Sequence, residues 1–174
     1  MQKQLDSRLT GMETRLAKMI AHLETLEQEK LHHKPDGKWS PAQIFQHLHD
    51  SEIGTLSYLE KKINEKKGEV PLGGLGSKLR SFILSRALRN KKKKYRAPKV
   101  LGEPGEKPNF EFLKTDYLEA RRKLRTLLSK LEKKDLKKAY FKHPVAGRLT
   151  IVQTLGFLED HFERHFEQIK ERSK

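Results

Sequence analysis

The sequence of 174 residues contains no cysteine and no long apolar run. Without cysteine the chain can form neither disulfides nor cysteine-based zinc fingers, and it has no cysteine nucleophile. Any metal bound by side chains would be held by His, Asp or Glu. No stretch approaches the roughly eighteen apolar residues of a membrane span, and the first residues lack the apolar core of a secretory signal. We therefore expect one domain, residues 1–174, in the cytoplasm.

Basic residues are in excess. Lys and Arg number 38 against 23 Asp and Glu, giving a formal net charge of +15, so nucleic acid, anionic lipid and acidic small molecules are candidate partners. Residues 86–99 contain eight basic residues and no acidic one. Such a run is usually a solvated loop, and its alternative is a patch for nucleic acid or anionic lipid. Because Tyr95 is its one aromatic residue and no recognition motif accompanies it, we expect nucleic-acid binding to be at most weak and nonspecific.

Apolar residues at alternating spacings of three and four predict four amphipathic helices packed in a bundle. The predicted helices span residues 5–31, 41–66, 109–133 and 150–171. The second helix begins with a capping box, Ser40 with Gln43, and has Pro41 at its first position. The fourth begins with a similar box, Thr150 with Gln153. We find no strand pattern, so the predicted fold class is all-α, a four-helix bundle.

A long insertion, residues 67–108, separates the second and third predicted helices. Glycines and prolines lie at both of its ends, which is typical of loops. Its middle, residues 79–88, predicts a short helix with Phe82, Ile83 and Leu88 as the apolar face. The connection is long enough to cross the bundle, so parallel neighbouring helices are allowed.

Three histidines are placed where they could bind one metal ion together. His161 and His165 are four residues apart on the fourth helix, so their rings lie on one face. His165 also falls on the apolar stripe, where a buried imidazole needs a hydrogen-bond partner or a metal. His47 points toward the inner face of the second helix. The His-x-x-x-His spacing also arises by chance, and spacing alone does not distinguish a metal site from structural histidines.

Other residues have structural interpretations. His49, on a different side of its helix from His47, is expected to face solvent or the bundle edge. His143 is expected to be a hydrogen-bonding turn residue. Trp39 precedes the helix cap and is expected to pack on Ile44 as a hydrophobic staple. Three further histidines are expected at the surface: His22, His32 and His33.

Two segments resemble motifs of the DinB/YfiT-like superfamily. "KWSPAQIFQHL" resembles its second-helix motif, in which Trp-Ser opens a helix and a histidine follows eight residues after the tryptophan. The matching residues are Trp39, Ser40 and His47. "HPVAGRLTIVQTLGFLEDHFERHFEQI" resembles its C-terminal motif, a Pro-x-x-Gly turn before a helix with His-x-x-x-His and then Gln-Ile. The matching residues are Pro144, Gly147, His161, His165, Gln168 and Ile169.

The resemblance implies a DinB-like bundle that holds a divalent metal with His47, His161 and His165. Three neutral imidazoles leave a position open for water or substrate, as in catalytic metal sites. Zinc is the first expectation, while nickel, iron and manganese stay open. Each ligand should pass its other ring proton to an acceptor. The candidate acceptors by helical spacing are Gln43, Asp50, Glu52 and Asp160.

The resemblance also implies a choice of functions. Because members of the superfamily include thiol-dependent S-transferases and isomerases, the first hypothesis is a divalent-metal-dependent enzyme that acts on a small-molecule substrate. Its reaction would be transfer of, or addition by, a low-molecular-weight thiol, as in an S-transferase or an isomerase-like transfer. The alternative is a non-catalytic metal-binding or stress-response protein whose basic surface binds anionic partners weakly. The resemblance further implies a homodimer formed through bundle faces.

Overall fold

The computed structural model describes residues 3–35, 37–65, 70–90 and 102–174. The elements are α1 (Lys3–Glu24), α2 (Gln28–His32), α3 (Pro41–Asn64), α4 (Leu75–Arg89), α5 (Phe110–Ser129), a 3-10 turn (Asp135–Lys137), β1 (Phe141–His143), β2 (Gly147–Leu149) and α6 (Ile151–Arg172). No helix within these ranges is long and apolar enough to span a membrane.

The four long helices α1, α3, α5 and α6 confirm the predicted bundle. The first predicted helix was wrong in one respect, because it is two helices, α1 and the short α2. The break follows Glu24, where the Thr25 hydroxyl donates to the His22 carbonyl oxygen at 2.7 Å. A side chain that bonds to the local backbone competes with helix continuation. The apolar stripe resumes on α2 with Leu31, which is buried.

Both predicted capping boxes are present. The Gln43 N–H donates to Ser40 Oγ at 3.2 Å, and the Ser40 N–H donates to Gln43 Oε1 at 3.1 Å. Thr150 and Gln153 make the same reciprocal pair at the start of α6. These caps satisfy backbone donors that have no partner within the helix. They fix the residue at which α3 and α6 begin, and thereby the height of each histidine along its helix.

A β-hairpin precedes α6 and was not predicted. Each strand has three residues, which is too short to show an alternating pattern. Its turn is held by His143, whose Nδ1 accepts from the N–H groups of Val145 and Ala146 at 3.1 and 3.0 Å. Gly147 closes the turn with a positive φ of 69°, a conformation that favours glycine. The prediction that His143 is a hydrogen-bonding turn residue is confirmed.

The crossover helix α4 is longer than predicted and faces the other way. Phe82 and Ile83, the predicted packing face, are 63% and 56% exposed. The side chains that face the bundle are instead Ser77, which is buried, and Leu84, which packs against the core. The sequence does not indicate which face of α4 packs on the bundle, because α4 carries apolar residues on both faces. The predicted basic run at residues 86–99 lies largely outside the described residues, from position 91 onward.

Two apolar clusters fill the bundle, and buried polar residues lie between them on α3, α5 and α6. The central pair is Glu52 on α3 and Arg121 on α5, whose Oε1 and Nε atoms lie 2.7 Å apart with both side chains almost fully buried. The Tyr117 hydroxyl donates to Glu52 Oε2 at 2.9 Å. Because an uncompensated buried charge is costly, these contacts tie α3 to α5 at one register.

The expectation that His49 faces solvent or the bundle edge was wrong. Its side chain is 6% exposed, with Nδ1 2.8 Å from Asp50 Oδ1 and Nε2 2.8 Å from Asp116 Oδ2. A histidine between two carboxylates is well satisfied in the α3–α5 contact. Helical periodicity could not show this, because Asp116 lies 67 residues away in the chain.

The buried His143 predicts a pH dependence of stability. Burial lowers its pKa to about 4 from an ordinary value of 6.5. Between these values the unfolded chain takes up a proton that the native protein does not, so the free energy of unfolding falls as pH decreases from 6.5 toward 4. One such group contributes a slope of up to about 1.4 kcal/mol per pH unit.

The test is urea unfolding of the metal-free protein at several pH values. His143→Asn retains an acceptor for the turn and should show a shallower loss of stability on acidification than the parent. His33→Asn, at an exposed position, is the control and should match the parent. Equal slopes for all three proteins would contradict the assignment.

Candidate metal centre

The contact between α3 and α6 brings three histidine rings to one point. His47 lies in the second turn of α3, while His161 and His165 lie on successive turns of α6. The Nε2 atoms of His47 and His161 are 3.2 Å apart, and those of His165 and His161 are 3.1 Å apart. All the ligand nitrogens of the group lie within 4.8 Å of one another. These are the three histidines that the sequence named as candidate ligands.

The spacing of the nitrogens fits a single metal ion. Two imidazole nitrogens bound to a tetrahedral zinc at about 2.0–2.1 Å are roughly 3.3 Å apart. The three rings meet edge to face, with centroids separated by 4.6, 4.9 and 5.1 Å. None of the three pairs is stacked face to face. The donor set of three imidazoles suits zinc, nickel or iron.

Burial keeps the three imidazoles neutral. Desolvation, followed by the effect of His47, lowers the pKa of His165 to about 3. Desolvation and the neighbouring His165 and His47 lower the pKa of His161 well below its ordinary range. Desolvation also lowers the pKa of His47. Neutral imidazole is the form that binds metals, so the ligand nitrogens are available near neutral pH.

Gln168 sets the orientation of His165. Its Oε1 lies 2.8 Å from His165 Nδ1. An amide oxygen only accepts, so Nδ1 carries the proton and the Nε2 lone pair is directed at the triad. The four acceptors expected from helical spacing are engaged elsewhere, and that expectation was wrong. Gln43 bonds to Ser40 and Gly105, and Asp50 bonds to His49. Glu52 contacts Tyr117 and Arg121. Asp160 is paired with Arg89.

Trp39 forms part of the wall beside His47. Its ring centroid lies 5.0 Å from that of His47, and the ring also packs at the edge of the core cluster that contains Ile44. Its backbone oxygen accepts from Arg172 Nη1 at 2.6 Å, which joins the start of α3 to the end of α6. Trp39 therefore also lies against His47, a contact that the staple interpretation did not include.

The end of the crossover brings a carboxylate to the same place. Glu103 Oε2 accepts from Trp39 Nε1 at 3.3 Å, and its charge opposes the lowering of the His47 pKa. The loop is held by Gly105, whose carbonyl oxygen accepts from Gln43 and whose N–H donates to Gln46, both at 2.9 Å. Sequence reasoning missed Glu103 because no periodicity relates this loop to α3.

Comparison with known proteins agrees with this fold. The chain is 27% identical over 150 residues to an uncharacterized protein, YuaE, of Bacillus subtilis (strain 168), an alignment that covers 86% of each chain. No solved structure matches the chain. The sequence pattern of the DinB superfamily, which often binds metals, matches residues 12–169. The protein therefore belongs to the DinB superfamily.

Proposed function

We propose that this protein is a metal-dependent enzyme that transfers a low-molecular-weight thiol to a small electrophilic substrate. The observation that carries the proposal is the convergence of three imidazole nitrogens whose pKa values are lowered, chiefly by desolvation. His47 is buried, whereas His165 is partly exposed. Three protein ligands leave one tetrahedral position open, which is the arrangement of catalytic rather than structural zinc sites. Zinc is the first candidate, and nickel, iron and manganese are alternatives.

In this proposal the metal ligands are His47, His161 and His165. A bound divalent ion lowers the pKa of a thiol or water and so supplies a nucleophile near neutral pH. The chain has no cysteine, so the thiol comes from a cosubstrate. Gln168 holds the proton of His165 on Nδ1 and thereby keeps the ligand nitrogen free.

Glu103 is our candidate acceptor for the thiol proton. Its carboxylate accepts a hydrogen bond from Trp39 Nε1, and the Trp39 ring packs against His47. Its negative charge also acts to raise the pKa of His47. Arg164 and Arg172 also lie close enough to lower the pKa of His165. These two cations favour an anionic electrophile or a thiol that carries carboxylates.

The alternative is a protein that binds the metal but catalyses no reaction. It shares the three histidines, so metal binding does not separate the two functions. Only turnover of a substrate separates them, so an assay of thiol transfer decides between the two functions.

The ligand assignment predicts large losses of metal affinity. Replacing His47, His161 or His165 by Ala should weaken zinc binding roughly a hundredfold or more, because two remaining imidazoles leave the ion undercoordinated. Competition with a chromophoric chelator measures the affinity. His33→Ala, at an exposed position, should bind like the parent. Circular dichroism should show the helices retained, and parental affinity in the triple Ala variant would contradict the site.

Gln168 allows a finer test of the same centre. Gln168→Leu preserves the size of the side chain but removes the acceptor, and we expect zinc affinity to fall about 10- to 100-fold. Gln168→Glu keeps an acceptor for His165 Nδ1 and should retain affinity near that of the parent. Equal affinities for the Leu and Glu variants would show that the hydrogen bond does not orient the ligand.

The transfer reaction is tested with protein loaded with zinc, nickel or manganese. Conjugation of small electrophiles is measured with a panel of cellular thiols, and the parent should exceed the triple His→Ala variant by at least tenfold for one pair. Glu103→Gln should then lower the rate while zinc affinity stays parental. Glu106→Gln, in the same loop, is the matched control.

If the parent conjugates no thiol faster than the triple variant does, the transferase proposal is contradicted and the non-catalytic alternative is favoured. A rate unchanged in Glu103→Gln would remove Glu103 as the proton acceptor without affecting the ligand assignment.

A further inference from the structure

The outer side of the crossover carries an unusual concentration of exposed apolar side chains. Leu72, Leu75, Leu79, Phe82 and Ile83 are between 56% and 84% exposed. They are five of the nine large apolar residues that are exposed within the described ranges. Single exposed apolar residues are ordinary, but a contiguous group on one element indicates a surface that is covered in use.

The helix geometry shows that this is a face and not a partly buried edge. Leu75, Leu79 and Phe82 are spaced by four and three residues, so they lie along one side of α4. Ser77 and Leu84, which face the bundle, lie on the opposite side. Packing of α4 on the bundle therefore leaves these apolar residues pointing outward.

The β-hairpin extends the same surface. Arg80 Nε donates to the Ala146 carbonyl oxygen at 2.8 Å, which joins α4 to the hairpin turn. The adjacent Val145 is 81% exposed. Leu72, just before α4, pairs with Lys138 in an isolated bridge. We call the exposed side chains of residues 72–89 and 142–148 the α4–hairpin face.

The charges of this face are all positive. No acidic residue occurs in residues 70–90 or 138–150. The basic residues of these two stretches are Lys78, Arg80, Arg86, Arg89, Lys138, Lys142 and Arg148. Two of them already have acidic partners from other segments, since Arg89 is paired with Asp160 and Lys138 with Asp135, both at 2.8 Å. Lys142 and Arg148 stand directly opposite each other in the hairpin register, and both are exposed. Like charges in a cross-strand pair are unfavourable, so an anionic partner would relieve this pair.

Charge and apolarity together select the partner. A second copy of this face would bring two sets of cations together. Nucleic acid would satisfy the cations but would not bury a leucine and phenylalanine stripe. A bilayer with anionic headgroups offers phosphates to the cations and an apolar interior to the side chains.

We propose that the α4–hairpin face docks this protein on membranes that contain anionic lipids, with Leu75, Leu79 and Phe82 inserted below the headgroups. This is a surface attachment that leaves the bundle intact. It does not depend on the metal or on the proposed transfer reaction.

The experiment uses the full chain and vesicles of phosphatidylcholine, alone or mixed with phosphatidylglycerol, followed by sedimentation. We expect binding only to the mixed vesicles, weakened by salt because the cations contribute. Phe82→Ser should reduce the partition coefficient roughly tenfold or more, since it removes a large inserted side chain. The matched control is Phe112→Ser on α5, because Phe112 has the same exposure of 63%.

A second pair of variants separates local charge from net charge. Lys78→Glu with Arg86→Glu should reduce binding by roughly fivefold or more for each residue changed. Arg122→Glu with Lys123→Glu on α5 makes the same change in net charge and should have a much smaller effect.

Several results would overturn the proposal. One is no binding to the mixed vesicles at low salt. A second is an equal loss of vesicle binding in the α4 variants and their α5 controls. A third is nucleic acid that displaces the protein from vesicles through a binding that Phe82→Ser does not weaken. A dimer seen by light scattering that dissociates in Phe82→Ser, with no vesicle binding, would identify a second copy as the occupant.

Discussion

The central constraint of this protein is that α3 and α6 bring three imidazole nitrogens to one point between the two helices. His161 Nε2 lies 3.1–3.2 Å from Nε2 of both His47 and His165. Because Gln168 holds the His165 proton on Nδ1, the His165 Nε2 atom faces His161 with its lone pair. A single proton on His161 Nε2 cannot be donated to both His47 and His165. A second proton on the rings would not relieve this conflict, because desolvation lowers the pKa of His161 and His165 and so disfavours their charged forms. The shared metal cation that we propose would resolve the conflict, and the surrounding contacts hold the rings close together.

Those contacts come from α3, α5 and α6. The capping boxes set where α3 and α6 begin, and Arg172 of α6 bonds to the residue before the α3 cap. On the α5 side, the Glu52–Arg121 pair locks the position of α3. Because this pair is buried between two apolar clusters, sliding α3 by one residue would break it and displace His47 as well. The register of the helices and the geometry of the site are therefore one property.

The sequence was sufficient where periodicity and local chemistry decide the outcome. Apolar spacing predicted the long helices, the Ser40 and Thr150 boxes predicted two helix starts, and the DinB-like motifs named the three histidines that the structure brings together. It failed where a distant segment decides. His49 finds Asp116 on another helix, and Glu103 reaches the site by way of a loop. Gln168 lay within a recognised motif, but its bond to His165 needed the side-chain geometry. The two apolar faces of α4 could not be ranked without knowing which one meets α6.

Crystals of the untagged protein grown with zinc, measured on both sides of the zinc absorption edge, test the central claim most directly. We predict one strong anomalous peak, about 2.0–2.1 Å from the Nε2 atoms of His47, His161 and His165, with a fourth position facing solvent or a bound small molecule. A peak bound by other residues, or clear density for the three rings with no peak between them at saturating zinc, would contradict it.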